Sequence, residues 1–343
     1  MPLVLGQEDV RRLLPMDECI EAMEGAFRAL AEGGAVLPLR SVVWMPDGSG
    51  GLGLMPAYHP VPLEAGAGRG LLAVKAVTFF PGNRETEFDS HQGVVLLFDS
   101  ERGSLVAIVE ATEITSIRTA AASALATRIL AREDAGDLAI FGSSTQARVH
   151  LEAMALVRNL RRVRIWSRHG DHARAFARTQ SSRPGPAVEV CASAREAAEG
   201  ADILCTVTSA REPFLRGEWV APGAHINAVG SSVPAQVELF PSAVARSRMF
   251  GDWRAGTLAQ AGDFLLARKE GAVSDGHVVG DLADLVARRV AGRRSPEEVT
   301  LFKSLGLAVE DIAAASLVCR KAAAEGAGVS LALGGRRRDS IGP

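Results

Sequence analysis

A strand that ends on a glycine and turns at once into a helix constrains this chain more than any other stretch. Residues 138–150 read LAIFGSSTQARVH: four apolar residues from Leu138 to Phe141, then Gly142, then a helix start. Such a turn suits a dinucleotide pyrophosphate. The glycine lets the backbone approach the phosphates, and the free N–H groups of the helix end face the negative charge. The usual pattern is G-x-G-x-x-G/A; here it is Gly142-Ser143-Ser144-Thr145-Gln146-Ala147. Ser144 stands where the second glycine is expected, and Ala147 is small enough for helix–strand packing. Alone, the same residues also fit a plain tight connection between a strand and a helix. The next strand, VRIW from Val163 to Trp166, follows at the spacing of a βαβ unit. At its end, where an NAD site carries an acid for the ribose 2′-hydroxyl, the chain has Ser167-Arg168-His169. A hydroxyl and a cation there suit a 2′-phosphate, so NADP(H) is favoured over NAD(H). Thr206, Val207, Val229 and Gly230, at the ends of two later strands, are expected around the same cofactor.

The pattern on either side of this turn differs. From about residue 119 to 305, strands and helices alternate: AVEV, DILCTV, HINAVG and SRMFGDW are the further strands. Alternation of this kind implies a parallel sheet with helices on both faces. Before it, an amphipathic helix around Met16, Ile20, Met23, Phe27 and Leu30 ends at Gly33-Gly34. Five β-like runs follow, RSVVWMP, GLGLMPAY, LLAVKAVTFF, GVVLLFD and LVAIVEA, which read as an antiparallel sheet. The final helix, expected over TLFKSLGLAVEDIAAASLVCRKAAAEG, returns to this first domain. The expected fold is therefore α/β, a dinucleotide-binding domain over 119–305 inserted in an α+β domain made of 1–118 and 306–343.

Composition excludes several classes of partner. With 343 residues there is enough chain for two cores, and 47% hydrophobic with 23% charged residues is globular composition. A net charge of −2 gives no general attraction to nucleic acid or to an anionic membrane. The terminal GGRRRDSIGP reads as a frayed basic tail. Cys19, Cys191, Cys205 and Cys319 show no C-x-x-C spacing and no histidine at metal-ligand spacing, so they read as reduced, buried thiols and no metal is expected. No signal-peptide pattern and no apolar run of membrane length is present, and a cytoplasmic location is the expectation.

Three cations sit in awkward places. Lys75 lies inside the apolar strand LLAVKAVTFF, Arg40 lies in VLPLRSVV, and Arg118 opens an alanine-rich helix, where a cation is disfavoured. Each alone has a structural explanation: a strand-edge lysine, a salt bridge, a snorkelling arginine. Together, beside a dinucleotide-binding turn, they point to a shared site for a small carboxylate-bearing substrate. The chain reads as an oxidoreductase.

The segments LMPAYHP, VKAVTFFPGN, SHQGVVLLFD, EITSIRTAAASALATRILA, FGSSTQARVHLEAM, INAVGSSVPAQVEL, VVGDLADLVARRVAGR and TLFKSLGLAVEDIAAA resemble the ornithine cyclodeaminase/mu-crystallin family over nearly the whole chain. The resemblance implies a Rossmann-type NAD(P)-binding domain inserted in a substrate-binding and dimerisation domain whose sheets pair across a homodimer. It assigns Arg40, Lys75 and Arg118 to the substrate carboxylate, Arg118 also to the cofactor, and puts His91 near the nicotinamide end.

Two departures bear on the reaction. Cyclodeaminases of the family carry an aspartate at the position of Ser232 and a glutamate at that of Gly53. Without either acid, elimination of ammonia and recapture of a side-chain amine lack their general acid and base. Serine at 232 resembles the ketimine reductases of the family, which use NADPH. The expected function is NADPH-dependent reduction of a cyclic or simple α-imino acid, with Lys75, or a water held by Ser232, supplying the proton. The alternatives are alanine-dehydrogenase-like or opine-type reductive amination, ornithine cyclodeamination, and an NADP(H)-dependent binding protein with little turnover.

Overall fold

The computed structural model describes residues 1–60, 70–182 and 185–333; the basic tail read above lies outside them. The strands, in chain order, are β1 (Leu3–Leu5), β2 (Ser41–Trp44), β3 (Gly51–His59), β4 (Leu71–Phe79), β5 (His91–Asp99), β6 (Leu105–Glu110), β7 (Asp137–Phe141), β8 (Arg162–Trp166), β9 (Val188–Val190), β10 (Ile203–Thr206), β11 (His225–Ala228), β12 (Arg248–Gly251), β13 (Val278–Asp281), β14 (Thr300–Lys303) and β15 (Val329–Ser330). Contacts divide the chain into two units: Met1–Arg118 with Leu307–Pro343, and Thr119–Gly306.

The first unit holds a sheet in the order β15-β1-β6-β5-β4-β3-β2. Burial alternates residue by residue along β3 and through most of β4, the period expected of strands with one face on a core. Met55, Ala57, Leu71, Ala73, Val77, Val95 and Leu97 form that inner face, and all are buried. The helices Met16–Ala31 and Ala308–Glu325 pack on each other, and the second of them packs on β3, β4 and β5. Fully burying a side chain such as Phe27 or Met23 stabilises by about 1.5–3 kcal/mol, which makes this interface the main support of the unit. The sheet is mixed rather than antiparallel throughout. β1 runs parallel to β6 and antiparallel to β15. Strands of three and two residues are too short to print a period of two on the sequence.

The second unit is an eight-stranded parallel sheet in the order β13-β12-β14-β11-β10-β7-β8-β9. The chain steps outward from β7 to β9, returns to β10 on the other side of β7, and continues to β11. The break between β7 and β10 is the switch point at which open α/β sheets of the Rossmann type bind ligands. β10, β11 and β14 are buried at every residue.

Two sequence expectations change here. TLFK is not the beginning of the last helix but β14, a central strand between β11 and β12; the helix itself starts at Ala308, after Gly306 turns the chain at φ +83°. Nor does Arg118 open a helix. That helix runs Ala111–Leu130, so Arg118 lies about two turns inside it. Its true start carries Glu113 in the first turn, while the Thr115 and Ser116 hydroxyls donate back to the carbonyls of Ala111 and Thr112. Among the described residues no helix is long and apolar enough to cross a membrane.

Candidate active site

In the first unit, β4 places Lys75 between Met55 of β3 and Val95 of β5 on the inner face of the sheet. Its ammonium donates to Asp311 Oδ1 at 3.2 Å. The same oxygen accepts from Arg118 Nε at 2.9 Å, and Arg118 Nη1 donates to Glu310 Oε2 at 2.8 Å. Glu310 Oε1 in turn accepts from the Leu307 N–H, fixing the first turn of the helix that carries both acids. All four side chains are buried, at most 4% exposed. Two cations and two carboxylates cancel, which is how such charges tolerate removal from water.

The cancellation is uneven. Burial pushes Lys75 down to about 8; Asp311 opposes the shift and Arg118 adds to it. Burial also works against the charge on Arg118, but its two carboxylates outweigh that and raise its pKa. Asp311 Oδ2 is buried and has no hydrogen-bond partner. A cluster with a ready proton on Lys75 and an unused acceptor on Asp311 can bind a carboxylate and exchange a proton beside it. Arg40 lies half-buried immediately before β2. His91 opens β5, exposed, with its ring edge-on to Phe79 at 5.1 Å.

In the second unit, the turn after β7 has the shape a dinucleotide needs. Gly142 has φ +115°, and a Cβ there would come within 2.8 Å of the Val207 carbonyl at the end of β10, so only glycine fits the switch point. Ser144 precedes the helix Thr145–Val157 without a side-chain cap bond, leaving first-turn N–H groups for an anion. Ala147 is buried against the sheet, and the buried Gln146 Oε1 has no hydrogen-bond partner. Ser143 and Ser167 hydroxyls meet at 3.3 Å, which sets Ser167, followed by the exposed Arg168 and His169, beside the glycine turn. These residues fit a nicotinamide dinucleotide.

Across the switch point, Glu238 organises the backbone at the ends of β10 and β11. Its carboxylate accepts from Thr206 Oγ1 (2.8 Å), Thr208 N (2.6 Å), Thr208 Oγ1 (2.7 Å) and Gly230 N (2.8 Å). Thr206, Val207 and Val229 are thereby held at the ends of β10 and β11, just ahead of the loop carrying Ser232. Asp263 accepts from the N–H groups of Glu238 and Leu239 and from Lys303 Nζ, and its own N–H donates to Ser231 Oγ. Burial and then Asp263 push Glu238 up to about 7, against the pull of Lys303 and the Thr208 bonds.

The sequence matches the ornithine cyclodeaminase/mu-crystallin family over residues 1–326. The chain belongs to that family. Mouse ketimine reductase mu-crystallin is 39% identical over 321 residues, covering 92% of this chain and 96% of the relative. Among solved structures, the Thermococcus litoralis Δ1-pyrroline-2-carboxylate reductase in complex with NADH and L-proline is 37% identical. It aligns with a TM-score of 0.91 over 96% of this chain and 100% of that one. An archaeal alanine dehydrogenase dimer with bound NAD is 31% identical, with a TM-score of 0.89 over 97% of this chain and 99% of that one.

Lys75 and Arg118 converge on one carboxylate, that of Asp311. Five residues escaped sequence reasoning: Glu310 and Asp311, and the Glu238, Asp263 and Lys303 group. A signal existed for four of the five. The acids of AVEDIAAAS, the glutamate of AQVELF and the lysine of TLFKSLG all interrupt runs that are otherwise apolar.

Proposed function

We propose that this oxidoreductase reduces a small cyclic or simple α-imino acid to the corresponding amino acid, with NADP(H) in preference to NAD(H). The observation that carries the reading is the convergence of Lys75 and Arg118 on a buried carboxylate in a cluster that keeps one acceptor oxygen free. A substrate α-carboxylate docks on those cations, with Arg40 at the edge of the same sheet. A nicotinamide dinucleotide held at the Gly142 turn would supply the hydride for the C=N carbon. Lys75 gives its proton to the imine nitrogen as the π bond opens. An ammonium pushed down to about 8 is a competent acid near neutrality, and the resulting amine regains its proton from solvent. Asp311 Oδ2 accepts the N–H that this transfer creates and keeps the nitrogen facing Lys75. Water held by Ser232 is the other candidate for the proton.

The hydroxyl and guanidinium of Ser167 and Arg168, beside the glycine turn and without an acid between them, support the 2′-phosphate preference. The gap left by Ser232 and Gly53, where cyclodeaminases carry acids, supports reduction over cyclodeamination. The outer face of the first sheet exposes Val43 (66%), Leu52 (38%) and Leu72 (46%), an open apolar surface that supports pairing with a second copy of this chain. Four buried free thiols suit the reducing cytoplasm.

The test is the consumption of NADPH and of NADH with 1-pyrroline-2-carboxylate and 1-piperideine-2-carboxylate, beside pyruvate with ammonia and L-ornithine with NAD. Imine turnover with NADPH preferred is expected. Ammonia release from ornithine, or activity with pyruvate and ammonia alone, would overturn the reading.

A further inference from the structure

The inner face of the first sheet can be read in rows, because opposed residues of antiparallel strands share a face. Lys75 stands in the row Met55–Lys75–Val95. Toward one end of the strands the next rows are Ala57–Ala73–Leu97 and then His59–Leu71–Asp99, whose inner residues Ala57, Ala73, Leu97, His59 and Leu71 are buried. That side is sealed by core. Toward the other end come Val42–Gly53–Val77–Gly93 and then Trp44–Gly51–Phe79–His91. Here the face opens: Trp44 is 57% exposed, His91 is exposed and Phe79 is half-buried. Along the strands, the open direction for a side chain whose carboxylate is held at Lys75 is this one.

The open side is built of rings lying on glycines. A Cβ on Gly53 would stand 2.8 Å from Phe79 Cε2, and one on Gly51 would stand 2.8 Å from Trp44 Cε3. Glycine at these positions lets both rings fold down onto the strand instead of projecting from it. Phe79 therefore leans back over the row next to Lys75, about two residues or roughly 7 Å along the strand. His91 meets Phe79 edge-on at 5.1 Å and 88°, and Trp44 and Phe79 centroids are 6.4 Å apart. Neither row contains a carboxylate. An ammonium on a side chain reaching this wall finds ring carbon and no carboxylate in either row, whereas an apolar ring gains contact there.

We propose that Trp44, Phe79 and His91, seated on Gly51 and Gly53, form the side-chain wall of the substrate site and select α-imino acids bearing an apolar ring over those bearing a distal ammonium. This rests on the reaction proposed above and narrows its substrate class.

The experiment compares kcat/KM for the methylamine imines of phenylpyruvate and of pyruvate in the wild-type protein, Phe79→Ala and Phe79→Leu. Wild type is expected to favour the phenyl substrate, and the ratio to fall by on the order of tenfold or more in F79A, with F79L between. Should F79A fail to fold, F79L, which keeps apolar volume without the ring, carries the comparison alone. The double variant G53E/F79A, with an acid in the vacated space, is expected to gain competitive inhibition by L-ornithine. A ratio unchanged in both Phe79 variants overturns the wall, as does a wild type that takes the pyruvate imine equally well. If no imine is reduced at all, the proposed reaction fails while the wall is still judged by binding. A melting-temperature rise with 3-phenylpropanoate but not with 5-aminopentanoate, lost in the Phe79 variants, supports it. Equal shifts with both acids overturn it.

Discussion

Each unit buries a cluster of charge, and the two clusters are satisfied in opposite ways. In the first, Lys75, Arg118, Glu310 and Asp311 neutralise one another side chain to side chain, and one carboxylate oxygen stays without a partner. In the second, Glu238 and Asp263 spend most of their acceptors on hydroxyls and backbone N–H groups, and Lys303 pairs with Asp263. Side-chain pairs can be exchanged for a ligand of like charge, because a substrate carboxylate offers the cations what Asp311 offers them. Backbone donors cannot be exchanged without moving the chain. The first cluster is therefore chemistry held in reserve, and the second is architecture that fixes where the strand ends lie.

The largest effect expected from this difference is at Lys75. Replacing it with Met removes the proposed docking cation and proton donor, and leaves one cation between two buried carboxylates. Turnover of imines should fall on the order of a thousandfold, and the melting temperature should fall with it, because the buried charge no longer cancels. Kinetics well below the melt of the variant separate the two; imine turnover that survives in the folded variant would make Lys75 a structural residue instead.

Glu238→Ala should reverse the balance. Four donors, two of them backbone N–H groups, lose their acceptor in a buried place, at a cost of about 3 kcal/mol or more. Denaturant titration should show that loss, and dinucleotide affinity should weaken with it. Stability equal to wild type would mean that water replaces the carboxylate and that the strand ends need no anchor.

Acid and alkali should act through different groups. If Lys75 donates the proton, imine turnover falls as pH rises through about 8, where the ammonium is lost. Acid acts on buried histidines of both units, and in the first burial holds His59 down to about 4. His150 and His225 are buried, and burial holds them down to about 4 and about 3. Folded, they bind fewer protons than the unfolded chain between roughly pH 6.5 and those values, so stability present near neutrality is lost as pH falls through that window. Replacing His225 with Asn should flatten the acid limb of a stability–pH curve. An unchanged limb would assign acid lability elsewhere.

The first unit was more legible than the second for the same physical reason. A strand with one face on a core alternates, so β3 and β4 announce themselves, and a lysine among their buried positions is conspicuous. β14 is buried on both faces; TLFK has no alternation and runs directly into an apolar helix, so it reads as that helix. Glu310 and Asp311 escaped because acids in a first helical turn need no explanation beyond the helix dipole. Arg118 lies deeper in its helix than the alanine-rich run suggests, because the turns before it hold Thr115 and Ser116, whose hydroxyls bond back along a helix already formed. What a sequence hides is the partner that turns a costly residue into a functional one.

The smallest effect belongs to the surface. Arg168 is exposed beside the glycine turn, far less constrained than either buried cluster. Its guanidinium can meet a 2′-phosphate only in water, where such contacts are partly screened. Arg168→Ala should therefore lower the preference for NADPH over NADH by only ~tenfold and leave melting behaviour unchanged. Ser167 remains as a hydroxyl donor, so some preference should survive. Competitive titration of the two dinucleotides against variant and wild type would measure it. A preference that does not move would shift 2′-phosphate recognition to His169 or to the backbone, and would remove the arginine from the cofactor site while leaving the glycine turn in it.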